Sequence, residues 1–60
     1  MMTTDMYRKM MQEATATHTV EQLDFVNKEM LAKEQITTEQ YLMIARGLAQ
    51  HMIFGKPIKF

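Results

Sequence analysis

"KEQITTEQY", residues 33–41, is where this chain reverses direction, and its reading decides the fold. Thr37 is followed three residues on by Gln40. At that spacing a threonine hydroxyl caps the amide of the third helical residue, and the glutamine reaches back to the amide of the cap. Ile36 precedes the cap and Tyr41 holds the fourth helical position, the two places of a hydrophobic staple. A helix is therefore predicted to start at Thr38. "TVEQ" at 19–22 repeats the grammar with Thr19 and Gln22, 18 residues earlier. That distance leaves room for one helix and a short turn. Shared helix-start chemistry explains the similarity without an internal repeat.

Working outward, the helix from about 20 to 34 places Val20, Leu23, Val26, Met30 and Leu31 on one face at about 100° per residue. Asp24 with Lys28 and Glu29 with Lys33 are acid-first pairs one turn apart on its polar side, each contributing a few tenths of a kcal/mol. Asn27 falls close to the apolar face, either as an edge residue or as a buried polar group that fixes register. The helix from about 38 to 53 carries Tyr41, Ile44, Ala45, Leu48, Ala49 and Met52 as its core stripe. The short connection "EQIT" makes these two helices an antiparallel hairpin. Upstream, a short helix over about 4–14 has Thr4 as its cap, Asp5 at its positive end and a stripe of Met6, Met10 and Met11. "ATATHT" (14–19) breaks it, because threonines favour caps over helix interiors. Downstream, Gly55 ends the third helix and Pro57 blocks its continuation, leaving the extended tail "GKPIKF". The predicted class is all-α, in one domain spanning 1–60.

The segment "MLAKEQITTEQY" (30–41) resembles the turn of short bacterial helical hairpins that read GxITxEEF/Y, with Gln35 standing for the usual glycine. The resemblance covers capping chemistry alone. It implies a hairpin turn and no functional residue.

Sixty residues with no cysteine cannot use disulfides or thiolate zinc to supplement a small core. A chain of this size buries only about 60% of the surface it exposes when unfolded. Association with a second chain is the expected source of further stability. Seven basic and seven acidic residues balance to zero, so the electrostatic surplus of a phosphate-binding protein is missing. No apolar run approaches the ~20 residues of a membrane span. The N-terminus lacks the basic start and apolar core of a signal peptide. With the absent cysteines, this favours the cytoplasm.

The sequence carries no Ser/His/Asp spacing, no HExxH and no glycine-rich phosphate loop, and its two histidines share no ligand spacing. The expectation is a protein without catalytic residues, cofactor or metal. What stands out is apolar surplus. Eight residues are methionine, a flexible side chain suited to adaptable surfaces. Phe25 projects opposite Leu23, and Met43 and Phe54 share a face of the third helix, with Gly47 and Gln50 between them. Gly47 inside a helix costs about 1 kcal/mol relative to Ala, which makes sense where something passes close to the backbone. One hairpin has one interior, so the first helix and the tail cover this second face or another chain does. Phe25, Met43, Gly47 and Phe54 are the expected interface residues of a homodimer that also binds a protein partner, as a small regulator or inhibitor. The second candidate is a dimeric DNA-binding regulator, with Arg8, Lys9, Lys56 and Lys59 forming a basic patch if the chain ends meet.

Overall fold

The computed structural model describes residues 1–60 as three helices and no strand: α1 (Thr4–Ala14), α2 (Val20–Ala32) and α3 (Thr38–Phe54). α2 and α3 form the hairpin and α1 packs against α3. Both capping boxes form. Gln22 N and Gln40 N donate to the hydroxyls of Thr19 and Thr37 over 3.2 and 3.1 Å. The two glutamine Oε1 atoms accept from the cap amides at 2.9 and 2.8 Å. α1 starts at Thr4 and its cap lies one residue earlier than expected, because Thr3, not Thr4, has the extended backbone and accepts from Met6 N. Of the ion pairs, Asp24–Lys28 closes at 2.9 Å and Glu29–Lys33 at 3.5 Å.

The turn between α2 and α3 begins two residues earlier than expected. α2 ends at Ala32, and Gln35 N and Glu34 N return to the carbonyls of Met30 and Leu31. This pair of bonds is the Schellman arrangement, which needs a left-handed residue just past the cap. That residue is Glu34, with φ 58°. The glycine-like position is thus Glu34 and not Gln35. A side chain in the left-handed region costs about 1–2 kcal/mol.

The core consists of Tyr7, Met11, Leu23, Ile36, Ile44 and Leu48. It departs from the expected stripes in three places, the first in α2, where Val26 is exposed and Asn27 is buried. In α1 the buried pair is Tyr7 and Met11, one turn apart, while Met6 and Met10 face solvent. In α3 Met52 is 70% exposed.

Two polar side chains hold the three helices in register. Asn27 is fully buried. Its Nδ2 donates to the Tyr41 carbonyl on α3 at 3.1 Å, and its Oδ1 accepts from the Tyr7 hydroxyl on α1 at 2.6 Å. A carbonyl can only accept, so the amide orientation follows from its partners. Gln40, besides closing its capping box, donates from Nε2 to the Met2 carbonyl at 2.9 Å and so ties the N-terminus to the hairpin turn. No buried side-chain nitrogen or oxygen lacks a partner.

Burial pushes the Tyr7 hydroxyl up to about 12. The folded protein then holds a proton that the unfolded chain has released. Stability from this group is complete below pH 10 and falls as pH rises from about 10 to 12, by about 3 kcal/mol. Tyr7→Phe removes this dependence, and at neutral pH it costs about 1–3 kcal/mol because Asn27 Oδ1 loses its donor. Denaturant melts of both proteins between pH 7 and 12 give the difference. At the turn, Glu34→Gly relieves the left-handed side chain and raises stability by about 0.5–1 kcal/mol, measurable as a higher urea midpoint.

Candidate interaction surfaces

α3 is apolar on three sides, and each side meets a different environment. Its inner side, Ile44 and Leu48, is core. Its second side carries Met43 and Gly47, and here α1 and the tail arrive. Met43 is half-buried against the core, and its sulfur accepts from an Arg8 guanidinium nitrogen at 3.5 Å. Gly47 is buried beneath the last residues of the chain. A Cβ there would lie 2.5 Å from the Phe60 ring and 2.8 Å from the Lys59 carbonyl oxygen. The glycine is needed because the tail crosses the backbone of α3 at that point.

The tail is held by directed bonds as well as by its ring. Gly55 takes the left-handed conformation with φ 68° and turns the chain out of α3. His51 Nδ1 donates to the Lys56 carbonyl, 2.6 Å away. Gln12 of α1 then reads the tail backbone with both ends of its amide. Its Nε2 donates to the Ile58 carbonyl at 2.9 Å, and its Oε1 accepts from Phe60 N at 3.0 Å. Bonds to main chain do not depend on side-chain identity, whereas the slot over Gly47 accepts a flat ring. Beside the seated tail, a cleft of about 480 Å³ stays open between α1 and the tail, with Arg8, Lys9 and Lys59 around it. Three of the four basic residues expected to gather do so here. Arg8 is also paired to Asp5 at 2.8 Å, and Lys56 lies 5.7 Å from the centre of the Phe54 ring.

The third side of α3 has no cover. Leu42, Arg46, Ala49 and Ile53 project outward at about 100° per residue, with Met52 to one side of them. Ile53 and Phe54 are 72% and 67% exposed. Next to this side, a groove of about 230 Å³ runs between α2 and α3, floored by Ala45, Leu48 and Ala49 and edged by Glu21 and Asp24.

The four expected interface residues therefore separate. Met43 and Gly47 are covered from within the chain by α1 and the tail. Phe54 remains on the open end of α3. Phe25, 63% exposed, stands alone on the outer face of α2. Sequence periodicity found the second face of α3 but passed over Leu42 and Ile53, whose exposure depends on where α1 and the tail settle.

No helix is long and apolar enough to cross a membrane. The chain matches no protein-family model, no curated protein and no solved structure.

Proposed function

We propose that this protein is a non-catalytic interaction module, a small regulator or inhibitor that self-associates and binds another protein. The observation that carries this reading is the run Met52, Ile53 and Phe54, all about two-thirds exposed or more at the C-terminal end of α3. Scattered apolar residues are ordinary on a protein surface, but a contiguous apolar patch marks a contact. Here three large exposed side chains follow one another around the last turn of α3, and Ile53 lies on the same side as Leu42, Arg46 and Ala49. Burying each such side chain is worth about 1.5–3 kcal/mol, comparable to a large share of the stability of a small domain. The proposed seam between copies runs along the Leu42, Ala49 and Ile53 side of α3, and Phe54, on the face it shares with Met43, borders it. Met43 and Gly47 serve it indirectly, by seating the tail. Phe25 lies outside the seam and is available to a different protein.

A second reading, binding to DNA as a dimeric regulator, draws on the gathering of Arg8, Lys9 and Lys59 around one cleft. Zero net charge and the Arg8–Asp5 pair weaken it, because duplex affinity grows with the number of phosphates neutralised. The interaction-module reading expects no sequence-selective DNA retention at physiological salt in a gel shift. Nanomolar selective binding would move the preference to the second reading.

Ile53→Glu tests the seam. Glutamate is a good helix former, so the folded monomer keeps its helicity. Across a seam it would bury an unpaired carboxylate, which is strongly unfavourable. Light scattering over a concentration series is expected to show a dimer for the wild type and a monomer for the variant. The melting temperature of the variant no longer rises with protein concentration. A wild-type chain that stays monomeric at every concentration would refute self-association.

A further inference from the structure

We infer that the cleft between α1 and the tail seats an acidic segment of a partner protein, in which carboxylates flank an apolar side chain. This inference rests on the protein-binding reading above and names the chemistry of the segment bound. The cleft keeps about 480 Å³ open with the tail in place. That volume lies within the range of about 300–1,000 Å³ in which proteins hold ligands. The walls are Pro57, Ile58 and Phe60, the rim is Arg8, Lys9 and Lys59, and no acidic side chain lines it.

The rim charges are not consumed by the fold. Lys9 and Lys59 are exposed and in no ion pair, since the pairs of the chain use Arg8, Lys28 and Lys33. Arg8 is held in place by Asp5 at 2.8 Å and by the Met43 sulfur at 3.5 Å. Those contacts engage one donor on each terminal nitrogen, so the guanidinium has donors left for a carboxylate. Even with Asp5 set against Arg8, the two lysines remain unpaired in a protein whose total charge is zero. The zero conceals a separation of charge, because the acidic residues Glu21 and Asp24 edge the other groove, between α2 and α3.

The wall decides which kind of anion fits. Pro57, Ile58 and Phe60 present carbon to the cleft, which an apolar side chain covers and a phosphate backbone leaves unused. The one ring at the cleft already packs on Gly47, so it is a poor platform for stacking a base. Duplex affinity grows with the number of phosphates neutralised, and three cations around one concavity reach few of them. An acidic segment with an apolar anchor uses both parts, its carboxylates on the rim and its anchor on the tail. Gln12 holds the tail backbone at two points, so the wall is formed before the segment arrives. Binding then carries no cost of ordering the tail.

Fluorescence anisotropy of the full-length protein with short labelled probes tests this. The main probe is a peptide alternating glutamate with leucine. Its controls are a glutamate–serine peptide, a lysine–leucine peptide and a single-stranded oligonucleotide of equal negative charge. The glutamate–leucine peptide is expected to bind about tenfold more tightly than any control, and to weaken as salt rises. Replacing both exposed lysines, Lys9→Gln with Lys59→Gln, lowers that affinity about tenfold while the helical circular dichroism is unchanged. In isotope-edited spectra the amides that shift are those of Arg8, Lys9, Gln12, Ile58, Lys59 and Phe60. Equal affinity for the glutamate–serine peptide overturns the inference, because the wall then takes no part. Tighter binding of the oligonucleotide overturns it in favour of nucleic acid, and shifts confined to the Leu42 and Ile53 side of α3 overturn it in favour of that surface. The seam fails separately. Ile53→Glu is expected to keep the peptide affinity as a monomer, whereas a wild-type dimer with no peptide affinity refutes the cleft and leaves the seam standing.

Discussion

Asn27 joins three helices with one side chain. Its amide meets α1 through the Tyr7 hydroxyl and α3 through the Tyr41 carbonyl, in a site closed to water. A buried amide without partners would destabilise a domain this small by an amount comparable to its whole stability. The three helices are therefore constrained to the one arrangement that satisfies both ends. Apolar side chains alone would pack in several rotations of similar energy, since dispersion and hydrophobic burial are not directional. The polar triad removes that freedom.

Glutamine performs the same service at the chain ends. Gln40 closes the capping box of α3 and also takes the Met2 carbonyl, so one side chain starts a helix and fixes the N-terminus. Gln12 binds the tail at two backbone positions. A primary amide offers a donor and an acceptor at fixed spacing, which matches the alternation of an extended backbone. With no cysteine for a disulfide, the chain uses side-chain amides to hold its ends.

The resulting molecule is unequal in its surfaces. α1 and the tail cover the side of α3 that bears Met43 and Gly47, while the side bearing Leu42 and Ile53 stays open. Sixty residues supply too few elements to surround a helix that is apolar in three directions.

Local chemistry determined the helices by itself. The capping boxes at Thr19 and Thr37 and the stop at Gly55 depend on contacts within a few residues, so they are legible in the sequence and appear in the structure. The close approach at Gly47 was legible too, because a glycine inside a helix has a cost that needs a reason. What crosses there was not. The choice of Phe60 depends on Gln12, 48 residues away, and no periodicity carries information over that separation. The same holds for Tyr7, absent from the methionine stripe and central to the core, because its burial follows from an acceptor on α2. Secondary structure was determined by short-range hydrogen bonding. Only the tertiary structure decided which face of α1 turns inward, which side of α3 the tail closes, and which side it leaves exposed, because those outcomes depend on long-range polar pairing.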